Sequence, residues 1–399
     1  MRVKQALFLV GGRGTRLGAL SANVPKPMQE IAPGLRFLDL LLENAGRHGF
    51  TDIILLAGHL GDQVEAAYHG RTIRGAYVRV VREPSPQGTG GALSLVSGLL
   101  ESAFLLANGD SFFDFNLRAL AAEPLGDDLG RLALRHVPDV GRYGSVQVAD
   151  KTITAFLEKD PAQTGPGLIN GGVYLLNRAI TQLLSAPSSL EMDIFPRLVA
   201  SRQLQGMMFD GYFLDIGLPE TLAQAKAETA SLLVRPAVVF DRDGVLNEDT
   251  GYTHRADHLI WQPGAREAIR LLNDRGYYVF VATNQAGVAR GFYEEAAIET
   301  FHDHMQDELA AVGAHIDAFY HCPFHPNAIV ERYRAEDHPD RKPNPGMVIR
   351  ALSEWPVDRS RSFMIGDRES DIAAARGADL PGHLYEGGNL ADLVARLIG

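Results

Sequence analysis

Short apolar runs alternate with helix-like segments along the whole chain, the pattern of α/β folds with largely parallel sheets. The runs predict strands at residues 6–10, 52–57, 77–81 and 103–107, followed by a more antiparallel series across residues 131–177. An Ala-rich helical segment at residues 220–233 then meets Pro236, which breaks the chain. Beyond it the pattern starts afresh. Residues 237–240 form a buried-strand run that ends in the acidic loop Asp241-Arg242-Asp243-Gly244, and residues 278–282, 316–320 and 363–365 repeat that form with helical patterns between them. The break at 233–236 divides the chain into domains at 1–233 and 236–399.

Composition fits this division. The 399 residues exceed the usual span of one domain and suit two, and 46% hydrophobic with 22% charged residues is ordinary for a soluble globular protein. The 38 basic and 49 acidic residues give a net charge of −11, without the basic excess that a reader of nucleic-acid backbones needs. Small phosphorylated substrates remain compatible, because carboxylates that hold Mg²⁺ turn a negative site into an anion site. Cys322 is the sole cysteine, so no internal disulfide forms, as suits a reducing compartment. The first apolar run is too short to span a membrane, and glycines follow where a signal peptide would continue. A cytoplasmic protein without membrane or nucleic-acid partners is expected.

The first predicted strand runs into Gly11-Gly12-Arg13-Gly14-Thr15-Arg16-Leu17, and Pro25-Lys26-Pro27-Met28 follows. Glycines directly after a strand let backbone N–H groups approach a polyphosphate, and Arg16 and Lys26 are placed to neutralise it. The loop is neither a Walker A sequence nor a dinucleotide fingerprint, since Leu17 stands where a third glycine would be. A second glycine-rich turn, residues 83–91, opens a helix, and the strand at 103–107 ends in Asn108-Gly109-Asp110-Ser111. An acid at the carboxyl end of a buried strand suits a metal ligand or a helix cap.

Together these segments resemble the sugar-1-phosphate nucleotidyltransferases from Leu7 to about Ala227, and most of all the D-glycero-α-D-manno-heptose-1-phosphate guanylyltransferases, with mannose-1-phosphate guanylyltransferases as near neighbours. The resemblance implies a Rossmann-like domain in which Gly11, Gly12 and Gly14 cradle a triphosphate, with Arg16 and Lys26 on its phosphates. It implies Glu83, Gly88 and Thr89 near the base, Asp110 and Asp215 on Mg²⁺, and Glu158, Lys159, Asn170 and Gly171 along the sugar. Val10 replaces the family's usual alanine, and Asp160 its usual proline.

In the second half, Asp241 and Asp243 are spaced i and i+2 beyond a buried strand, which directs both carboxylates to one side. Thr283-Asn284-Gln285, Arg341-Lys342-Pro343 and Gly366-Asp367-Arg368-Glu369-Ser370-Asp371 follow in order. This series resembles the haloacid dehalogenase superfamily, and in detail the D,D-heptose 1,7-bisphosphate phosphatases, with histidinol phosphatases as close relatives. The resemblance implies Asp241 as nucleophile, Asp243 as general acid and base, and Thr283 and Lys342 as stabilisers of the transferring phosphoryl group. It implies Mg²⁺ on Asp241, the backbone carbonyl of Asp243, and Asp367. Asp249, Gly251, Tyr252, Asn284, Gln285, Arg341 and Arg368 are the expected substrate contacts. The interval between Asp241 and Thr283 is too short for a large cap domain.

Relatives of this kind often carry a structural zinc. Here the corresponding positions are Cys322, Phe324, His338 and Asp340, and phenylalanine cannot ligate. A zinc-free loop is therefore expected, with Cys322, His325, His338 and Asp340 as the only alternative ligand set. Two enzymes on one chain suit one pathway: phosphate release from heptose 1,7-bisphosphate, then nucleotidyl transfer, GTP rather than ATP, to give GDP-D-glycero-α-D-manno-heptose. A mannose-1-phosphate guanylyltransferase joined to another phosphatase is the alternative enzyme reading. A nucleotide-sugar sensor is disfavoured by the full complement of chemical groups.

Overall fold

The computed structural model describes residues 2–141, 145–157 and 164–399. Contacts divide the chain into two compact units, Val3–Ala230 and Ser231–Gly399. Both have the expected α/β character.

The first unit is built on a ten-stranded sheet. In chain order its strands are β1 (Gln5–Leu9), β2 (Asp52–Ala57), β3 (Thr72–Ile73), β4 (Ala76–Arg82), β5 (Ala103–Asn108), β6 (Gly130–Val137), β7 (Ser145–Ala149), β8 (Thr152–Leu157), β9 (Gly167–Asn177) and β10 (Leu204–Met208). Across the sheet the order is β7-β8-β10-β6-β9-β5-β1-β2-β4-β3. The stretch β5-β1-β2-β4 is parallel, and β9 runs antiparallel to both β5 and β6. Leu7 pairs with Ile54 on one side and Leu106 on the other, and all three are buried in one core with Phe104, Leu132 and Tyr174. Strands covered on both faces need continuous apolar runs, which is why their sequences show no alternation.

Because β1 lies inside the sheet with chain crossovers to either side, the loops leaving β1 and β5 open a crevice at their carboxyl ends. The periodicity did not predict β10, whose sequence Leu-Gln-Gly-Met-Met carries a weak strand signal, nor a small antiparallel ribbon formed by Ser111–Asp114 and Tyr212–Asp215. That ribbon pairs Ser111 with Asp215, and Ile216 N donates to Asp110 O at 3.0 Å. Two acids a hundred residues apart in sequence are thereby brought to one place.

The second unit has five parallel strands, β11 (Ala237–Phe240), β12 (Tyr278–Asn284), β13 (Ala318–Cys322), β14 (Phe363–Gly366) and β15 (Gly382–Leu384), in the order β13-β12-β11-β14-β15. Alternate residues of β11 enter different cores. Val238 and Phe240 pack with Ile269, Leu272 and Met305 on one face, and Ala237 and Val239 pack with Met347, Val348 and Ala351 on the other. The helix Ala265–Asp274 buries Ala265, Ala268, Ile269 and Leu272, an i, i+3, i+4, i+7 stripe. The strand expected at 316–320 begins two residues later. Ile316 is buried without joining the ladder, and Asp317 spends a carboxylate oxygen on Val279 N at 2.8 Å.

Between β11 and β12 the chain forms only a short 3₁₀ turn, Ala256–His258, and the helix Ala265–Asp274, so nothing of cap-domain size covers the carboxyl end of the sheet there. Among the described residues no helix is long and apolar enough to cross a membrane.

Candidate active sites

In the first unit the glycine loop closes where β1 meets its neighbours. A Cβ on Gly11 would lie 2.5 Å from Glu83 Oε1 and 2.9 Å from Gly58 N, so only glycine lets the three segments meet. Gly14 adopts φ 62°, and its carbonyl accepts from Ser21 Oγ at 2.8 Å. Gly88 likewise has positive φ, and its N-terminal turn is pinned to the 185–189 segment by Gly90 N donating to Ser188 O at 2.9 Å. A cavity of about 610 Å³ opens between these loops, bounded by Gly11, Gly12, Lys26, Glu83, Gly88, Thr89, Asn108, Asp110 and Glu191. Glu83 is half-buried on its wall; burial pushes its pKa up, opposed by the N–H of Gln87 at 3.3 Å.

Lys26 is buried at the floor, with Nζ 2.6 Å from Asp110 Oδ2 and 3.7 Å from Asp215 Oδ1. Burial and the neighbouring Asp110 raise the pKa of Asp215, while Lys26, the N–H of Gly217 and Arg16 pull it back. A Cβ on Gly217 would lie 3.3 Å from Lys26 Nζ and 3.4 Å from Arg16 Nη2, so both cations converge over the Asp215-Ile216-Gly217 turn. Two carboxylates set against a lysine, with Asp110 and Lys26 lining the cavity, are a donor set that fits a hard divalent cation beside a polyphosphate.

Asn170 and Gly171 do not line this cavity. Asn170 accepts from Gly172 N at 2.9 Å and donates to Tyr174 OH at 2.9 Å, and the resulting turn brings Gly172 against Asn108, which does line it. Glu158 and Lys159 lie outside the described residues. Glu191 and Asn108 were not anticipated. Glu191 accepts from Thr89 Oγ1 at 2.8 Å across 102 positions, a contact that no local motif announces.

In the second unit Asp241 follows β11 directly. Its Oδ1 lies 2.6 Å from Lys342 Nζ, an ion pair, and accepts from the N–H of Arg242 at 2.8 Å, and Lys342 Nζ is also 2.7 Å from Asp371 Oδ1. All three side chains are buried. Burial raises the pKa of Asp241 against the pull of Lys342; burial also opposes the Lys342 charge, yet Asp241 and Asp371 together hold its pKa above the usual lysine value. Carboxylate oxygens of Asp241, Asp367 and Asp371 lie within 4.8 Å of one another, and Asp367 Oδ1 is buried with no hydrogen-bond partner. Burial and Asp371 raise the pKa of Asp367. Three crowded carboxylates against one ammonium, with an oxygen left unsatisfied, fit a divalent cation. Asp371 joins the expected pair Asp241 and Asp367, while the Asp243 carboxylate is engaged elsewhere: it accepts from Arg242, Asn247 and Gln285.

Asn284 and Gln285 were expected at substrate; both line the cavity over Asp241, and their amides also hydrogen-bond within the protein. Asn284 exchanges hydrogen bonds with the backbone of Lys342 at 3.0 and 3.1 Å, which fixes the lysine loop. Gln285 donates to Asp243 and Thr283 Oγ1, both at 2.9 Å, and accepts from Tyr293 OH at 2.8 Å. Each orients a chemical group of the site.

A cavity of about 320 Å³ covers Asp241, and Asp249, Gly251, Tyr252, Asn284, Gln285, Arg341 and Arg368 line it, together with Arg290, His325 and Tyr293. Arg368 donates to Asp249 Oδ2 at 3.0 Å across the mouth. Arg290 Nε is buried without a hydrogen-bond partner. Burial, then Arg341 and Arg290, depress the pKa of His325, and burial together with Arg290 lowers that of Arg341. One wall thus carries crowded, mutually repelling cations. The signal for Arg290 was present in the run Ala289-Arg290-Gly291 that follows Thr283-Asn284-Gln285, but the residue type alone did not say which way it faces.

Of the alternative zinc ligands, Cys322 and Asp340 neighbour His338, and His325 faces the cavity over Asp241. The Phe324 ring stacks on His338 at 3.9 Å, Cys322 Sγ is 3.8 Å from His338 Nδ1, and His325 lines the phosphate cavity instead. Among the described residues, the cluster of metal-ligating side chains is Asp241, Asp367 and Asp371.

The fold and the two constellations define a nucleotidyltransferase and a phosphatase of the haloacid dehalogenase type on one chain. Residues 5–231 match the family model Nucleotidyl transferase, and residues 340–395 match the HAD-hydrolase-like model. The D-glycero-beta-D-manno-heptose-1,7-bisphosphate 7-phosphatase of Rhodopseudomonas palustris is 46% identical over 171 residues, 43% of this chain and 94% of that protein. That of Escherichia coli K12 is 39% identical over 145 residues, 36% of this chain and 75% of that protein. The crystal structure of HddC from Yersinia pseudotuberculosis, also solved as a complex with GMP-PN, superposes with a TM-score of 0.51 at 30% identity, over 57% of this chain and 100% of that one. The UDP-glucose pyrophosphorylase of Acinetobacter baumannii shares the fold, with a TM-score of 0.50 at 22% identity over 57% of this chain and 93% of that one. The chain belongs to the nucleotidyl transferase family in its N-terminal part and to the heptose-1,7-bisphosphate 7-phosphatase family in its C-terminal part.

Proposed function

We propose that this bifunctional enzyme removes the 7-phosphate of D-glycero-D-manno-heptose 1,7-bisphosphate and then transfers GMP from GTP to the resulting heptose 1-phosphate, releasing pyrophosphate. The carrying observation is that heptose bisphosphate phosphatase relatives and the likeness to HddC fall on one chain, with both sets of chemical groups assembled. The functional boundary is proposed at 233–236, just before β11.

In the phosphatase site Asp241 attacks phosphorus, and Asp243 protonates the leaving sugar oxygen. An aspartyl-phosphate results; Asp243 then takes a proton from water as the water displaces Asp241. Lys342 and Thr283 face the transferring group. A Mg²⁺ held by Asp241, Asp367, Asp371 and the Asp243 backbone carbonyl would offset charge on that group. The second phosphate of the substrate matches the wall of Arg290, Arg341 and His325. Arg290→Ala is expected to raise KM for the bisphosphate by about 10- to 100-fold, the value of one charge-assisted contact, and to change KM for heptose 7-phosphate less than about twofold. Equal KM changes for both substrates would remove Arg290 from the distal phosphate.

In the transferase site heptose 1-phosphate attacks the α-phosphorus in line, so the protein chiefly positions reactants and offsets charge. Arg16 and Lys26 serve the phosphates, and Asp110 and Asp215 would hold Mg²⁺. Glu83 favours guanine, whose adjacent N1–H and N2–H donors match a carboxylate; adenine presents an acceptor at N1 and would leave buried acceptors facing each other. Glu83→Gln is expected to reduce the kcat/KM preference for GTP over ATP by about 10- to 100-fold, the scale of one two-point base contact. An unchanged ratio would exclude Glu83 from base selection.

A panel of the four nucleoside triphosphates against heptose 1-phosphate and mannose 1-phosphate tests the assignment. GTP with heptose 1-phosphate is expected to give the highest kcat/KM, and preference for mannose 1-phosphate would overturn it. Both heptose anomers belong in the panel, and one anomer is expected to serve both sites.

A further inference from the structure

Arg242 stands between the two site aspartates in sequence and is completely buried. Its Nε and Nη2 donate to Asp243 Oδ1 and Oδ2 at 3.0 and 2.9 Å, a two-point pairing between adjacent residues. Nη2 also donates to Thr253 O at 2.6 Å, Nη1 meets His302 Nε2 at 3.2 Å, and the guanidinium carbon lies 4.7 Å from the Phe301 ring centroid. Arginine offers no acceptor, so His302 Nε2 accepts. Burial and the Arg242 charge keep that imidazole neutral, and it is stacked on Phe319 at 4.1 Å. Among these partners only Asp243 carries a negative charge, and a buried guanidinium is tolerated only when it is paired in this way.

Two features go beyond structural pairing. Asp243 Oδ1 also accepts from Asn247 Nδ2 at 3.0 Å, and Oδ2 from Gln285 Nε2 at 2.9 Å, so two donors sit on each oxygen and the roughly four acceptor positions of a carboxylate are filled. Thr253 directly follows the loop whose Asp249, Gly251 and Tyr252 line the phosphate cavity. One guanidinium therefore ties the Asp243 carboxylate to the loop expected to hold the sugar.

We propose that Arg242 is a positioning residue for the phosphatase reaction, fixing Asp243 relative to the substrate loop so that the leaving sugar oxygen meets its proton. This rests on the acid and base role proposed for Asp243. As the Asp241–phosphorus bond forms, the bond from phosphorus to the sugar oxygen breaks and that oxygen takes the Asp243 proton. Water then gives a proton back to Asp243 while its oxygen displaces Asp241. To carry a proton Asp243 must release one donor. Gln285 is the donor that keeps a partner on release, since its Nε2 also donates to Thr283 Oγ1 at 2.9 Å, whereas Arg242 has no second anionic partner among the groups named above.

Leaving-group dependence tests this. A sugar alkoxide needs a proton to leave, and nitrophenolate does not. In the full chain with Mg²⁺, Arg242→Met is expected to slow single-turnover cleavage of heptose 1,7-bisphosphate by about 100-fold, with KM within about threefold of the unsubstituted value and nitrophenolate release from p-nitrophenyl phosphate changed less than about threefold. Arg242→Lys, which keeps charge without the two-point geometry, is expected to recover part of the loss. In an Asp243→Asn background Arg242→Met is expected to add nothing. Should the Arg242 variants not fold, His302→Phe removes the Nη1 acceptor and His302→Gln restores one; a loss selective for the sugar phosphate in the first and recovery in the second supports the role. Equal losses on both substrates, a rise in KM alone, or additivity with Asp243→Asn would overturn it. If the unsubstituted chain does not turn over heptose bisphosphate, the phosphatase reading falls and the role with it; turnover with a uniform loss overturns the role alone.

Discussion

Asp241→Asn is expected to lower phosphate release by at least about 10⁴-fold while leaving nucleotidyl transfer within about twofold of the unsubstituted chain. The amide has no charge with which to attack phosphorus, and the covalent route closes. The substitution is also expected to leave the fold intact. Burial already works against the Asp241 charge, and Lys342 retains Asp371 at 2.7 Å as its counter-ion. A thermal transition within a few degrees of the unsubstituted protein, alongside the lost activity, is the expected result. Persistence of phosphate release above about 1% of the original rate would remove Asp241 from the nucleophile's role.

The complementary substitution is Asp110→Ala. It is expected to reduce nucleotidyl transfer on the order of 10³-fold and to leave phosphate release unchanged. Two effects combine. The carboxylate proposed to hold Mg²⁺ is lost, and Lys26, which Asp110 holds at 2.6 Å, turns to Asp215, now 3.7 Å away. Titration of Mg²⁺ against nucleotide binding checks the first effect, since binding of GTP by the variant is expected to lose most of its dependence on Mg²⁺. Simultaneous loss of both activities in a folded variant would argue against independent sites.

Much of this arrangement was legible in the sequence because it is local. Gly11, Gly12, Gly14, Asp241 and Asp243 all follow buried strands, and a parallel sheet delivers whatever follows its strands to one edge. Groups assembled across the chain were less legible. Asp371 sits at the third position of the helix Glu369–Gly377, and its Oδ2 accepts from Arg368 N at 3.0 Å, as an acid at a helix start ordinarily does. Its Oδ1 meanwhile meets Lys342. One carboxylate performs both tasks, and the capping pattern hides the second. Asp215 reached Asp110 through a ribbon of two four-residue strands, too short for periodicity to register. Glu191 and Arg290 needed the folded chain to show which way each faces, and Asn284 and Gln285 needed it to show where their amides are committed.

Phenylalanine at 324 does more than omit a ligand: its ring covers His338, and the remaining nitrogen and sulfur donors are left to local hydrogen bonds and to the phosphate cavity.

The most direct test of the account is one incubation of the purified chain with D-glycero-D-manno-heptose 1,7-bisphosphate, GTP and Mg²⁺, with phosphate, pyrophosphate and nucleotide-sugar measured together. Formation of GDP-heptose with one phosphate and one pyrophosphate per molecule, abolished by either Asp241→Asn or Asp110→Ala and restored when the two variants are mixed, is the predicted result. Phosphate release without any nucleotide-sugar, although the same chain couples GTP to a different sugar 1-phosphate, would contradict it.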